Sequence, residues 1–427
     1  MKKYVFISPY ISNFGGSQMY VRNKVLYLRK QGWIVDVISS DPGKILLREL
    51  EEFSNFIPEL IFCIYCFSKK KRNQIVRNLV NRINDAAYNE IVIESTTLES
   101  SEWAEIVSSK IGAKHLVNLL LENNTPKDKI LRDFLVFKHK RRELVSITKS
   151  SLLQMFKSFY PISIEESYML PAYCNNVVAD VDSPWINIIK NKNFDYIVGC
   201  LGRLEKPFMM YSIIDFCKFA NTIPDKTILL LLMGGSTQYD RMNLKYKQYI
   251  SKNANNVELM VTGFLYPVPS KLLFLCDALY ATAGSAWVCS RSGIPTISYD
   301  DNDCRPIGIL GRTTNSSLYR NQYEPVQSFE DLMTQILIEK KYKRNNEIYL
   351  PDVPDMSDHL EFLRNSSQNV EYYYFDSSGS FPMSMKFLKL KLMMIGARRY
   401  CMLEKIFHGG KPWYKNLFNA LLVLCRN

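Results

Sequence analysis

Histidine, paired cysteine and long apolar runs are what this sequence lacks. It has four histidines, and none lies between His139 and His359, which excludes a histidine base from the second half up to Asp358. The ten cysteines are scattered, and the close pair Cys63 and Cys66 has no second Cys or His pair, so buried thiols are favoured over a metal site. No apolar run reaches the roughly 18 residues that a membrane-spanning helix needs.

Apolar residues and positive charge are what the sequence has. Hydrophobic residues make up 47% and aromatic residues 13%, which excludes a disordered chain, and 427 residues predict two domains. The net charge is +12, and residues 380–427 hold six Lys and three Arg against one acid, a net +8. Smaller basic runs lie at 69–72 and 138–142. Since no nucleic-acid module accompanies them, we expect anionic lipid or phosphate partners and no nucleic acid.

The first part of the chain predicts a doubly wound α/β domain at residues 1–172. An apolar strand at 4–8 leads through Gly15-Gly16-Ser17 into a helix that Gly32 ends, and a strand at 33–39 completes a βαβ unit. Further strands are predicted at 90–94, 115–121 and 144–148, and further helices at 98–111 and 127–140. The opening apolar run is too short for a signal peptide, so we expect a cytoplasmic protein.

The second part predicts another such domain. Residues 173–194 are rich in Asn and Asp and predict a linker, and residues 195–350 form the second domain. Its strands are predicted at 196–201, 227–233, 257–262 and 277–282, and a helix at 286–292 ends at Gly293. Residues 351–427 are expected to form a helical tail that is basic from 380.

A ligand site is expected where the strands of the second domain end. The carboxyl ends of parallel strands share one edge of a sheet, so Gly263, Gly284 and Ser285 should lie together. Gly284 would let a ligand approach the backbone, and the amides of Ser285, Ala286 and Trp287 at a helix N-terminus suit a phosphate. A tight turn without a ligand is the alternative.

Five motifs in order carry a family resemblance over residues 1–319. They are Gly15-Gly16-Ser17, Gly202-Arg203-Leu204 with Lys206, Gly234-Gly235, Thr262-Gly263-Phe264 and Gly293-Ile294-Pro295-Thr296. The sequence resembles glycosyltransferases of the GT-B fold, most closely family 4. The resemblance implies two Rossmann-like doubly wound domains facing across a cleft, with a sugar nucleotide held by the second domain and the acceptor entering from the first.

The resemblance also implies site residues. Arg203 and Lys206 would neutralise the donor diphosphate and stabilise its charge as it leaves, without a metal or cofactor. The other donor-binding residues would be Gly15, Gly16, Gly234, Gly235, Gly263, Phe264, Gly284, Ser285 and Ala286. The alternative for the two cations is that they are solvated at a strand end.

The sequence departs from the family at its acidic pair. The family carries two Glu residues ahead of Gly-x-Pro, but Tyr280 and Val288 occupy these positions. Ser285 with the helix amides is the expected substitute for the ribose contact, and a member that has lost catalysis is an alternative. Residues 301–303 have the form Asp-x-Asp, which could bind a metal. Because a whole extra domain precedes them, a loop of solvated acids is favoured over a metal site.

An acceptor base is expected from the first domain. Glu94 and Glu122 end two predicted strands, and either would orient or deprotonate an acceptor hydroxyl, with Glu122 the stronger prediction. The alternative for such a carboxylate is a helix cap or a loop anchor. His115 begins its strand and is expected to point away from the site.

The tail and the motifs together predict a function. Residues 413–425 place aromatic and aliphatic side chains on one arc of a helix, which favours binding at an anionic membrane surface over packing on the protein body. We therefore expect a glycosyltransferase peripheral to the inner face of the cell membrane. It would transfer a sugar from a nucleotide-diphosphate sugar to a lipid-linked glycan in cell-surface polysaccharide biosynthesis, such as capsule or lipopolysaccharide. The alternatives are a non-catalytic GT-B subunit that binds a nucleotide sugar or a partner transferase, and a GT-B polyol-phosphate transferase.

Overall fold

A computed structural model describes the chain except for 13, 41–44, 84–87, 121–125, 127–128, 175, 237, 346–352, 368 and 376–427. Its contacts divide it into two units. Unit 1 comprises Met1–Asn13, Leu28–Pro171 and the chain from Met356 onward, and unit 2 comprises Phe14–Tyr27 and Ala172–Asp355.

The elements up to residue 171 are, in chain order, β1 (Lys2–Ile7), α1 (Gly16–Lys30), β2 (Ile34–Ser39), β3 (Ser54–Phe56), α2 (Lys69–Ile83), β4 (Glu90–Ser95), α3 (Leu98–Ile111), β5 (Lys114–Leu119), α4 (Lys129–Lys140), β6 (Leu144–Ser146) and α5 (Lys149–Phe156). Short 3₁₀ helices lie at Arg48–Phe53, Pro58–Ile61 and Ile64–Cys66. The strands form a six-stranded parallel sheet in the order β3-β2-β1-β4-β5-β6.

Helix α3 shows how the local sequence specifies an element of unit 1. Thr97 caps its start by accepting a hydrogen bond from the Ser100 N–H, and Gly112 ends it with φ 71°, a conformation that glycine adopts without strain. Between these caps, Trp103 is fully buried and donates to the Phe62 carbonyl at 2.7 Å. The predicted helix at 98–111 therefore matches α3.

Unit 1 contains a buried network of charges around Glu105. The carboxylate lies 2.6 Å from Nδ1 of His115 and 2.8 Å from Nζ of Lys138, which is also 2.8 Å from Glu143. Burial alone would raise the pKa of Glu105, but the Lys138 ammonium and the His115 hydrogen bond lower it to about 2. Burial, followed by the charge of Lys138, lowers the pKa of His115. The network keeps a buried carboxylate ionised.

The end of the described chain closes this network. Unit 1 also contains the last described helix, Ser357–Asn365, which is α12 in chain order, and residues 369–375. The N–H of Tyr373 donates to Glu105 at 2.7 Å, and the rings of Tyr373 and Phe375 lie 5.6 and 5.1 Å from the Phe134 ring. Tyr373 and Phe375, expected in a separate tail, thus pack against α3 and α4 of unit 1.

Unit 2 is built from β7 (Val178–Ala179), α6 (Pro184–Lys190), β8 (Tyr196–Leu201), α7 (Pro207–Thr222), β9 (Ile228–Met233), α8 (Tyr239–Asn253), β10 (Val257–Val261), β11 (Val268–Pro269), α9 (Ser270–Phe274), β12 (Ala278–Ala281), α10 (Ala283–Arg291), β13 (Thr296–Tyr299), β14 (Pro306–Ile309) and α11 (Phe329–Met333). A π-helical segment, Thr334–Ile338, continues α11. The six-stranded sheet has the order β10-β9-β8-β12-β13-β14, and its last strand is antiparallel.

The sequence of β9 explains its position inside this sheet, between β10 and β8. All of its residues, Ile-Leu-Leu-Leu-Leu-Met, are buried. A strand that is apolar on both faces needs helices on both sides of the sheet, as in doubly wound α/β folds. The predicted linker at 173–194 differs from the structure, because Val178–Ala179 pairs with Val268–Pro269 and Pro184–Lys190 is helical.

Candidate functional site

The carboxyl ends of β8, β9, β10, β12 and β13 meet at one edge of the unit 2 sheet, which we call the ligand edge. The strand order runs outward from β8 to β10 on one side and from β12 to β13 on the other. The topology therefore switches between β8 and β12, and ligands of open α/β sheets bind at such a point.

The loop after β8 carries the two predicted diphosphate-binding cations. The Arg203 side chain is 48% exposed, and its Nη1 lies 3.9 Å from a Glu205 carboxylate oxygen. The Lys206 N–H donates to the Arg203 carbonyl at 3.2 Å, and α7 begins at the next residue. Nζ of Lys206 lies 3.5 Å from Oδ1 of Asp301. Both cations thus follow β8 at the switch point, and each lies beside an acid.

The glycines after β9 pack against neighbouring loops. A Cβ at Gly234 would lie 1.8 Å from the Gly202 carbonyl oxygen, and a Cβ at Gly235 would lie 2.4 Å from the Phe264 ring. Gly263 has φ 79°, which favours glycine. Close backbone and aromatic packing therefore accounts for Gly234 and Gly235, whereas the sequence analysis explained them by the ligand.

The loop after β12 differs from the prediction at the start of α10. The helix begins at Ala283 rather than near Ala286, and Ala283 has φ 55° with its N–H donating to the Ser317 carbonyl at 2.6 Å. The Ala286 N–H donates to the Thr282 carbonyl at 3.4 Å, so the expectation that this amide is available to a phosphate is wrong. By helix geometry the amides of Ala283, Gly284 and Ser285 have no intrahelical acceptor, and that of Ala283 is bonded to Ser317, which leaves those of Gly284 and Ser285 for a ligand.

The loop after β13 is more ordered than a loop of solvated acids. Asp300 is buried and accepts from the N–H groups of Asn302 at 2.8 Å and Arg320 at 2.7 Å. Asp303 lies 2.9 Å from the Arg320 guanidinium, which lowers the pKa of this carboxyl despite partial burial. Within the described part of the chain, no group of three His, Cys, Asp or Glu side chains is placed to hold a metal.

The Gly15-Gly16 loop belongs to unit 2 although it follows β1. A Cβ at Gly16 would lie 3.5 Å from Cβ of Cys174, whose thiol pKa is raised by burial. The Phe14 ring lies 6.0 Å from the Phe264 ring and 5.6 Å from the Tyr266 ring. The structure therefore brings the first glycine motif and the loop after β10 together through an aromatic cluster that the sequence analysis missed.

The predicted acceptor carboxylates have different fates. Glu122 lies outside the described residues. Glu94 is fully buried, accepts from the Tyr4 hydroxyl at 2.5 Å and from Nδ2 of Asn118 at 3.0 Å, and so cannot reach an acceptor. The expectation that Glu94 faces a ligand was wrong, because its side chain points to the sheet face that Tyr4 and Asn118 share. His115, which was expected to point away from the site, is buried against Glu105, so its ring does not face solvent.

The two small basic runs also differ. In the run at 138–142, Lys138 is buried between Glu105 and Glu143, and Arg141 lies 3.2 Å from Glu143. In the run at 69–72, Lys69 and Lys70 are exposed at the start of α2. The predicted tail helix at 413–425 lies outside the described residues. Among the residues that are described, no helix is long and apolar enough to cross a membrane.

Comparison with known proteins establishes the fold. No family model and no curated protein matches the chain. The chain is similar to a glycosyltransferase from Rickettsia africae, with 14% identity, 78% of this chain and 86% of that chain covered, and a TM-score of 0.53. It is similar to Anabaena HepE in complex with UDP, with 16% identity, 80% and 91% coverage and a TM-score of 0.54. It is also similar to sucrose-phosphate synthase from Thermosynechococcus elongatus, with 14% identity, 80% and 91% coverage and a TM-score of 0.52.

These likenesses define the class of protein by its fold. The chain has the GT-B glycosyltransferase fold, which confirms the fold predicted from the glycine motifs. Membership of family 4 stays a prediction. The two positions of the family's acidic pair lie inside the second domain, since Tyr280 is fully buried in β12 and Val288 is 1% exposed in α10. Neither supplies a carboxylate.

Proposed function

We propose that the protein is a glycosyltransferase that takes its sugar from a nucleoside-diphosphate sugar. The observation that supports the proposal is that Arg203 and Lys206 follow β8 and α10 follows β12, the two adjacent strands between which the unit 2 sheet switches direction. Two cations and a helix N-terminus at one edge provide the charge that a diphosphate requires. HepE, which has the same fold, is described in complex with UDP and with UDP-glucose, so UDP-sugars are the first donors to test.

The proposed mechanism stabilises the leaving nucleoside diphosphate. When the bond between the sugar and the diphosphate breaks, negative charge grows on the phosphate oxygens. The Arg203 guanidinium can donate two parallel hydrogen bonds to them, and the amides of Gly284 and Ser285 add donors and the positive end of the helix dipole. Lys206 would exchange its contact with Asp301 for a phosphate oxygen. In this mechanism the cations of the chain act without a metal or cofactor.

The acceptor side of the proposal rests on the sequence. We propose a glycan acceptor, carried on a lipid, in cell-surface polysaccharide biosynthesis, with the basic segment from 380 holding the protein at the inner face of the membrane. Glu122 is the proposed base, since Glu94 is committed to Tyr4 and Asn118. The other proposed donor contacts are Gly15, Gly16, Gly234, Gly235, Gly263 and Phe264.

A non-catalytic subunit is the second candidate, and two observations favour it. The positions of the family's acidic pair hold buried Tyr280 and Val288, and Lys206 is partly neutralised by Asp301. Such a subunit would bind a nucleotide sugar or a partner transferase without turning the donor over.

Substitution of Arg203 separates the two candidates. In a catalyst, Arg203→Ala should lower turnover by about 100-fold or more, about 3 kcal/mol, with a smaller loss of donor affinity, because the charge grows in the transition state. Arg203→Lys should recover little, since a point charge cannot replace a planar fork. Transfer or donor hydrolysis is measured for both variants and for the unaltered protein, after a thermal-shift panel of nucleotide sugars has identified the donor.

Arg291→Ala is the matched control. It removes the same charge from the other end of α10, where the guanidinium lies over the Trp287 ring at 5.3 Å, and should leave turnover unchanged. Equal turnover in all four proteins would contradict the proposed role of Arg203. No turnover by the unaltered protein, with a nucleotide sugar still bound, would favour the non-catalytic subunit.

A further inference from the structure

Asp301 and Lys206 form an ion pair across the start of α10. Lys206 follows the loop after β8 and Asp301 follows β13, and β12 lies between these strands in the sheet. The 3.5 Å contact between Nζ and Oδ1 therefore passes over the carboxyl end of β12, where α10 begins. The side chains are 26% and 31% exposed, so a ligand can reach both. The Asp301 N–H donates to the Leu318 carbonyl at 2.9 Å, which fixes the main chain at this position.

The neighbouring acids of the loop are committed to other partners. Asp300 accepts three main-chain N–H groups and is buried. Asp303 lies against the Arg320 guanidinium and accepts the Arg305 N–H at 2.9 Å. Asp301 is thus the acid of this loop whose carboxylate is directed at the candidate donor site.

We propose that Asp301 determines the specificity of the donor site by accepting hydrogen bonds from hydroxyl groups of the nucleotide sugar. This inference rests on the proposed function. An ionised carboxylate only accepts hydrogen bonds, so a bare diphosphate drawn to Lys206 gives Asp301 nothing but repulsion. A ligand that carries hydroxyl groups beside its diphosphate satisfies both charges, because the phosphate takes the ammonium and a hydroxyl takes the carboxylate. The pair therefore favours a polyhydroxylated diphosphate over pyrophosphate.

Equilibrium titration of the full chain with three probes tests this role. The probes are inorganic pyrophosphate, UDP, and the nucleotide sugar that binds best among UDP-glucose, UDP-galactose, UDP-N-acetylglucosamine and GDP-mannose; GDP replaces UDP if GDP-mannose binds best. Asp301→Asn should weaken binding of the nucleotide sugar by roughly 10-fold or more, which is the usual effect of losing a hydrogen bond to a charged group. It should leave pyrophosphate binding unchanged or tighter. If the nucleoside diphosphate also loses affinity, the contact is with the ribose. If only the nucleotide sugar loses affinity, the contact is with the transferred sugar.

Glu205→Gln is the matched control, because it removes one negative charge from the same edge, 3.9 Å from Arg203. Glu205→Gln should not weaken binding of the nucleotide sugar. If Asp301→Asn tightens binding of all three probes, Asp301 only repels anions and the proposal is overturned. Unchanged binding of all three, or a loss that includes pyrophosphate, also overturns it, since the carboxylate then either makes no contact or merely organises Lys206. If the unaltered protein binds none of the nucleotide sugars, the proposed function itself fails.

Discussion

Replacing Lys138 by Met should destabilise unit 1 more than any exposed charge change. The Lys138 side chain is 1% exposed and lies 2.8 Å from both Glu105 and Glu143, so its removal leaves two buried carboxylates without their shared cation. Breaking a buried ion pair by removing one partner costs about 3–5 kcal/mol of unfolding free energy. The pKa of Glu105, lowered to about 2 from an ordinary 4.5 against the effect of burial, points the same way, since the Lys138 charge and the His115 hydrogen bond hold the carboxylate ionised.

The pH dependence of this loss has a defined sign. A carboxyl whose pKa is depressed in the folded state stabilises it above the unfolded pKa, and this stability is lost as pH falls through the folded pKa. In the unaltered protein the contribution of Glu105 therefore fades between about pH 4.5 and 2. In Lys138→Met the folded state takes up a proton on Glu105 or on His115, which lies 2.6 Å away. The difference in stability between the two proteins should therefore be larger at pH 7 than at pH 4.

Hydrogen–deuterium exchange followed by mass spectrometry measures this in unit 1 alone. Peptides from α3, β5 and α4 should exchange faster in Lys138→Met, and the increase should shrink as pH falls, after correction for intrinsic exchange. Lys140→Met is the control on the same helix, since its exposed ammonium contacts the Tyr160 ring at 5.4 Å and its loss costs about 0.5–1 kcal/mol. Equal protection in both variants, or a larger effect at pH 4, would refute the reasoning.

Two further predictions concern the glycines of unit 2 and the basic tail. Gly234→Ala should lower the melting temperature of the unfolding step of unit 2, because its Cβ would lie 1.8 Å from the Gly202 carbonyl oxygen. Gly202→Ala should be tolerated, because its Cβ would make ordinary contacts with the Phe208 ring at 3.7 Å and the Met209 side chain at 3.9 Å. Similar calorimetric melting of the two variants would contradict this. Truncation after Gly410 should release the protein from anionic vesicles in a flotation assay, since each nearby Lys or Arg contributes about 1 kcal/mol at such a surface; a truncated protein that unfolds would show that the tail covers the protein body.

Much of the fold could be predicted from local sequence. The predicted strand at 196–201 and the predicted helix at 98–111 have the bounds of β8 and α3. The first is a continuous apolar run and the second is an amphipathic run with caps, and each of these patterns indicates one type of secondary structure. Helix α2 was missed, since its residues at 69–83 were noted only as a basic run although Ile75, Val76 and Leu79 form a buried stripe. The linker helix α6 was missed because seven residues among Asn and Asp give little periodicity.

The candidate site was predicted only as far as the motifs extend. Arg203 and Lys206 were predicted from the family resemblance, but the contact of Lys206 with Asp301 joins residues 95 positions apart and has no local signal. The burial of Glu94 and of Lys138 was missed for the same reason, since their partners Tyr4 and Glu105 lie on other elements. A polar residue at a buried position of a strand is the one signal that could have exposed the role of Glu94.

The return of the chain to unit 1 sets an order for its synthesis. The rings of Tyr373 and Phe375 cover Phe134, and about 240 residues are translated between Phe134 and Phe375. At roughly 5–20 residues per second the ribosome needs about 10 to 50 seconds for this stretch. During that time α4 has emerged with an uncovered aromatic face, and the N–H of Tyr373 that meets Glu105 does not yet exist. Nascent chains that stop before residue 356 should therefore depend on chaperones, although the whole first sheet has already been made.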